Sequence, residues 1–203
     1  MDKRMTKVVA INGSNHDGGI TDQSVMSAVQ AARDKGAHVE VVTLREYPIK
    51  FCLSCRECCQ QPGVMPGECV HHDAMEALVT KLELADAYIL ASPTTYGTVS
   101  ALFKRFIERL TVYGYWPWGM RMPQLRKANL THKKKAMLLT SSAAPGFLAR
   151  WFFNSHKQLA FTARLLGANS IGCVFTGRVG YSPAAVLPES SRKKTHRLVD
   201  KLI

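Results

Sequence analysis

The run Lys7-Val8-Val9-Ala10-Ile11-Asn12 passes directly into Gly13-Ser14-Asn15-His16-Asp17-Gly18-Gly19-Ile20-Thr21. A half-exposed strand would alternate polar and apolar residues, so the unbroken apolar centre of the first run predicts a strand buried on both faces. The small residues behind it allow a tight turn into a helix expected over 22–35, which Gly36 stops. Strand, small-residue turn and helix together make the first half of a parallel-sheet unit.

The same alternation runs to the end of the chain. Strands are expected at 39–44, 87–91, 136–140 and 170–175, and helices at 73–84, 100–110, 147–166 and 188–202. Asp73 is a suitable N-cap for the second helix. A loop rich in aromatic residues and proline, 111–132, precedes the fourth strand. Five strands with intervening helices predict an α/β three-layer sandwich. Its five-stranded parallel sheet would follow the flavodoxin-like order 2-1-3-4-5, which suits them better than a longer doubly wound sheet. No repeat or linker divides the chain, so 1–203 reads as one domain with a cysteine-rich insertion at about 52–69.

Bulk composition narrows the function. The 203 residues are 46% hydrophobic, enough for a proper core, yet no apolar run reaches the ~18 residues a membrane span needs. The start, Met1-Asp2-Lys3-Arg4-Met5, leads into the first strand without the apolar stretch of a secretion signal, so a cytoplasmic location is expected. The net charge of +12 raises the question of nucleic acid, but the basic residues are dispersed and no zinc-finger or RNP-like pattern accompanies them. A basic surface also attracts anionic cofactors.

In open parallel sheets ligands bind beyond the carboxyl ends of the strands, beside the switch point between strands one and three. That rule selects three loops: 12–21, 92–98 and 141–146. In the first, Ser14 and Thr21 offer hydroxyls, Gly19 keeps the backbone close, and the helix start favours negative charge. His16 reads as a surface or phosphate-contacting residue rather than a metal ligand. The second, Ser92-Pro93-Thr94-Thr95-Tyr96-Gly97, offers backbone groups edge-on and an aromatic neighbour to a flat ring, with Pro93 and Gly97 expected to fix the turn. The third, Ser141-Ser142-Ala143-Ala144-Pro145-Gly146, is small enough to line the far side of such a ring.

Gly13-Ser14 followed by Gly19 and Thr21, then Ser92-Pro93 with Gly97, Val99-Ser100-Ala101, Lys104, Phe106-Ile107 and Arg109, resembles the NAD(P)H-dependent FMN reductase and iron–sulfur flavoprotein superfamily. The resemblance runs through nearly the whole chain. It implies FMN binding, flavin-mediated electron transfer and a homodimer or homotetramer. It places Ser14, His16, Gly19, Ile20 and Thr21 on the phosphate loop, and Pro93, Thr94, Thr95, Tyr96 and Gly97 on the isoalloxazine loop. Ser141, Ser142 and Gly146 complete the expected cofactor contacts. Three positions depart from the pattern: Ile20, Thr95 and Glu108 stand where the family commonly has Asn, Tyr and Asp.

Five of the six cysteines lie between Cys52 and Cys69, which in a cytosolic chain suggests metal or redox chemistry before disulfides. Cys52, Cys55 and Cys58 follow one another at C-x-x-C spacing, and closely spaced thiolates let one short loop wrap an iron–sulfur cubane. Zinc, or no metal with packed or redox-active thiols, remain alternatives. The segment resembles the compact motif of iron–sulfur flavoproteins, in which a fourth cysteine stands a few residues before Asp-x-Met. Here Cys69 precedes Asp73-Ala74-Met75, so the resemblance implies Cys52, Cys55, Cys58 and Cys69 as ligands of a 4Fe–4S cluster and Cys59 as the extra thiol. His71 and His72 are expected to face solvent and Cys173 to be a small core residue.

The function expected is an FMN-dependent oxidoreductase of the NAD(P)H-dependent FMN reductase type. It would take electrons from NAD(P)H or a reduced protein and pass them to a small-molecule or protein acceptor. The alternatives are a non-catalytic flavodoxin-like electron carrier, against which the basic charge counts, and a metal-stabilised binding module without flavin. The aromatic loop Tyr113-Gly114-Tyr115-Trp116-Pro117-Trp118 is expected to cap the flavin or to sit in a subunit interface.

Overall fold

The computed structural model describes residues 5–182 and 184–203; residues 1–4, on which part of the reading of the chain's start rests, and residue 183 lie outside the described residues. Strand β1 (Lys7–Asn12) leads to helix α1 (Ile20–Asp34) and strand β2 (His38–Thr43). The cysteine segment follows, then α2 (Ala74–Leu84), β3 (Ala87–Thr95), the two-residue strand β4 (Thr98–Val99) and α3 (Ala101–Arg109). Short strands β5 (Gly114–Tyr115) and β6 (Gln124–Leu125) precede β7 (Lys134–Ser141), α4 (Gly146–Phe152), α5 (Ser155–Leu165), β8 (Ala168–Thr176) and α6 (Glu189–Leu202).

The main strands pair in parallel in the order β2-β1-β3-β7-β8, the order expected. Side-chain alternation along each strand divides the apolar residues into two cores. Val9, Ile11, Tyr88, Leu90, Ala136 and Leu138 face one side, with Leu78, Leu82, Phe103 and Phe106. Val8, Ala10, Ile89, Ala91, Met137 and Leu139 face the other, with Val25, Val29 and Val199. The protein therefore has a flavodoxin-like fold, three layers deep.

Three local expectations need correction. Strand β3 runs on through Pro93 to Thr95, and the turn falls at Tyr96 and Gly97 alone. Pairing with β1 stops at Ala91, so Pro93 lies where β3 keeps only β7 beside it and its missing N–H is tolerated. The single helix expected over 147–166 is two helices, because Phe153 is extended and the Asn154 amide donates to the Gly97 carbonyl at 2.7 Å. That tertiary bond stops one helix, and Asn154 then opens the next. The 111–132 loop contains the antiparallel pair β5 and β6.

Candidate functional site

Beyond the carboxyl ends of β1, β3 and β7 lies a cavity of about 360 Å³. It gathers Ser14, His16, Gly19, Ile20 and Thr21 from the first loop, Pro93 and Thr95 from the second, and Ser141 from the third. The volume is within the range of small-molecule sites. Thr21 and Ser141 hydroxyls stand 2.8 Å apart, tying the start of α1 to the end of β7. Below them Asn12 donates to Asp22 (2.6 Å) and accepts from the Ser14 amide (3.0 Å), while the Gly18 amide donates to Asp22. Arg45 faces both Asp22 (3.1 Å) and Asp17 (2.6 Å), so the buried carboxylate beneath the loop is balanced by a cation. Tight packing fixes the loop: a Cβ on Gly13 would stand 2.7 Å from the Phe103 ring.

The turn that ends β3 is a two-residue hairpin. Tyr96 and Gly97 both have positive φ, 48° and 81°, as a type I′ turn demands. Tyr96 is fully exposed, so its ring is free to meet a ligand or another surface and does not cover the core. Ser100 caps α3 by accepting from the Phe103 amide (3.1 Å) and donates to the Gly13 carbonyl (2.5 Å), locking the second loop to the first.

Several expected contacts lie elsewhere. Thr94 does not line the cavity; its hydroxyl is shared with Thr140 (3.0 Å) and Ser155 (2.8 Å). Ser142 turns to the Ala144 carbonyl, and Gly146 opens α4, where a Cβ would stand 2.9 Å from the Phe175 carbonyl. Tyr96 and Gly97 form the rim of the turn and not the cavity wall. Ser100, Val179, Gly180, Ser182 and Ala185 line the cavity without having been anticipated. The signal for the last four was available: the loop after the fifth strand emerges at the same sheet edge and is rich in small residues.

The cysteine segment builds a second cavity of about 370 Å³, lined by Cys52, Cys55, Cys58 and Cys69 together with Arg56, His71, Thr111 and Trp116. The backbone reaches this shape by placing Ser54 and Arg56 in the left-handed region, at φ 54° and 62°, which costs an L residue about 1–2 kcal/mol each. Cys59, the extra thiol, is buried outside this wall and donates to the Thr111 carbonyl at 3.4 Å. Among the described residues no three His, Cys, Asp or Glu side chains are gathered closely enough to hold a metal ion, although the four cysteines line one cavity.

Arg109 anchors this loop at both ends. Its side chain is 1% exposed and donates to the Lys50 carbonyl (3.0 Å), to Asp73 (2.6 and 3.1 Å) and to the Cys69 sulfur (3.5 Å). Burial alone would raise the Asp73 carboxyl, but hydrogen bonds from Arg109 and from the Lys50 and Met75 amides outweigh it and hold the group at about 2. Asp73 thus caps α2, as expected, while serving as the counter-ion of Arg109. Burial and the neighbouring Cys59, Cys69 and Cys52 push the Cys58 thiol up to about 12. His72 is exposed, His71 donates from its ring to the Phe51 carbonyl (3.1 Å), and Cys173 is partly buried with its thiol raised to about 12 by burial. Trp116 lines the cysteine cavity and not the strand-end cavity.

A flavodoxin-like sheet with a small-residue cradle at its switch point defines a flavoprotein-type α/β domain. Residues 6–159 match the NADPH-dependent FMN reductase family, and the chain belongs to it. An iron-sulfur flavoprotein of Archaeoglobus fulgidus is 36% identical over 111 residues, which are 55% of this chain and 48% of that protein. The chain thus spans about half the length of the curated relatives it matches. Among solved structures, an azoreductase from Bacillus anthracis superposes with a TM-score of 0.68 at 15% identity, covering 97% of this chain and all of that one. An FMN-dependent NADH-azoreductase from the same species, solved in complex with FMN, gives 0.65 at 11% identity over 98% of this chain and 99% of its own. No described helix is long and apolar enough to cross a membrane.

Proposed function

We propose that this protein is an FMN-dependent oxidoreductase that also carries a 4Fe–4S cluster. The observation that carries the reading is the pairing of two separate cavities: a small-residue cradle at the strand ends, and a second space whose wall is built by four cysteines. The residues present suit both groups. Ser14, Thr21, Ser141 and the first-turn amides of α1 would hold the FMN phosphate, and the hairpin ending in Tyr96 and Gly97 would flank the ring system. Cys52, Cys55, Cys58 and Cys69 would hold the cluster.

When bound, the flavin supplies hydride acceptance and one-electron release, and the cluster supplies single-electron relay. The chain's own part is placement. Asp22, Asn12 and Arg45 fix the phosphate loop, Ser100 locks it to the hairpin, and Arg109 holds the Cys69 end of the ligand loop. NAD(P)H or a reduced protein is the proposed donor, and a small molecule or protein the acceptor. The exposed Tyr96, Phe147, Trp151 and Phe152 support assembly into a homodimer or homotetramer, and the absence of a membrane span among the described helices fits the cytoplasmic location expected.

Anaerobic purification tests the reading. Equimolar FMN, with iron and acid-labile sulfide in equal amounts, is expected, together with NADPH oxidation that depends on FMN. Protein that binds no FMN after incubation with an excess refutes the flavin reading, and protein that takes up zinc but no sulfide refutes the cluster.

A further inference from the structure

The loop that follows β8 forms one wall of the strand-end cavity and is fastened on both sides. At its start the Ser142 amide donates to the Thr176 carbonyl (2.9 Å), and the Arg178 and Val179 amides donate to the carbonyls of Ala144 (3.2 Å) and Ser142 (3.1 Å). Only glycine fits at 177, because a Cβ there would overlap the Gly146 nitrogen and stand 2.6 Å from the Ala144 carbonyl oxygen. At the other side one side chain from the first turn of α1 holds it. The Gln23 nitrogen donates to the carbonyls of Gly18 (3.0 Å) and Ala185 (2.9 Å), and the Gln23 oxygen accepts from the amide of buried Leu187 (2.8 Å).

A glutamine that merely anchored the entry to α6 would need only the bonds to Ala185 and Leu187. This one also grips Gly18 in the first loop. Gly18 and Ala185 both line the cavity, so a single amide joins two of its walls. Gln23 does not line the cavity and therefore acts by holding the loop. The residues that the loop presents there, Val179, Gly180, Ser182 and Ala185, carry no cation and no aromatic ring. They give a second phosphate no counter-charge and an adenine no face to stack on.

We infer that the loop 177–187 is a strap closing the phosphate end of the cavity, that Gln23 is the positioning residue that keeps it closed, and that the closed strap selects FMN over FAD. The inference rests on the flavin reading given above, which puts the phosphate beside Ser14, Thr21 and the first turn of α1. FMN ends at that phosphate and fits beneath the strap. FAD continues from the same phosphate through a second one to ribose and adenine, so the strap has to lift to admit it. Lifting breaks the Gln23 bonds to Ala185 and Leu187, each worth roughly a factor of five, so FMN is favoured about 25-fold.

The test uses the full-length protein freed of bound flavin, titrated with FMN and with FAD and read by flavin fluorescence. Wild type, Gln23→Ala and Gln23→Met are compared by the ratio of the two dissociation constants. General damage to the site weakens both flavins together and leaves the ratio alone. The wild type is expected to prefer FMN about 25-fold and Gln23→Ala to bring the two flavins within about fivefold of each other, with Gln23→Met moving the same way. A wild type that binds both flavins equally, or a wild-type ratio in the variants, overturns the inference. Should Gln23→Ala fail to fold, Gln23→Met alone decides, since it keeps the bulk of the side chain and loses every bond. A wild type that binds neither flavin overturns the flavin reading itself, and that outcome is recognised before any ratio is compared.

Discussion

Replacing Asp73 by Asn removes the charge that faces buried Arg109 while keeping a side chain that caps α2. The Asp73 carboxyl titrates at about 2, against 3.8 ordinarily. At about 1.36 kcal/mol per pKa unit, that depression corresponds to roughly 2.4 kcal/mol of folding stability. The group is depressed in the folded state, so this stability is fully present above pH ~4 and is lost as pH falls through about 2. In Asp73→Asn the guanidinium stays buried without its partner, which costs about 3–5 kcal/mol near neutral pH. Urea unfolding of both proteins at a series of pH values measures the difference. It should narrow by roughly 2 kcal/mol between pH ~5 and ~2, because only the wild type has a carboxylate to lose. A difference that stays constant across that range, or a loss under ~1 kcal/mol at pH 7, would falsify the account of Asp73 and Arg109 as a buried pair.

Other substitutions probe the two cavities. Thr21→Val removes a hydroxyl from the phosphate end and should weaken FMN binding about tenfold, the loss of one hydrogen bond to a charged group, as read by fluorescence titration. Tyr96→Asn places a residue suited to the type I′ turn and should raise stability by up to about 1 kcal/mol in urea unfolding while lowering FMN affinity; unchanged FMN affinity would show that the exposed ring takes no part. Cys69→Ala should abolish retention of iron and sulfide after anaerobic reconstitution, whereas Cys59→Ala should leave both intact at a modest cost in stability. Equal losses in the two variants would place Cys59 among the ligands.

The order of the sheet was legible because the three central strands, β1, β3 and β7, had to be apolar on both faces, and that pattern admits few readings. Element ends were less legible, since they depend on bonds to distant residues. The break at Phe153 follows from the Asn154 amide reaching Gly97, and nothing in the local helical pattern announces it. A Tyr-Gly pair is also a weak hairpin signal beside Asn-Gly, so the continuation of β3 past Ala91 was hidden. At the strand-end cavity the residues of the first loop lie together, because they follow one another directly beyond the end of β1. Thr94 and Ser142 read as contacts on position alone, yet their hydroxyls are used by Thr140, Ser155 and Ala144. The four cavity cysteines were singled out by spacing together with resemblance. The packing of Arg56 against Trp116 was not, because it joins residues sixty positions apart.

Arg109 grips the chain just before the first cysteine and again at the last, so the whole segment between them is a loop closed at its base. Lengthening such a loop is cheap, about 0.6 kcal/mol for each doubling, because its ends are already held together. The sheet therefore does not register how many residues lie between Cys58 and Cys69. A segment of this kind can be grown, trimmed or transplanted as a cassette onto another flavodoxin-like sheet, provided that the recipient supplies an arginine and an aspartate at the base of the graft.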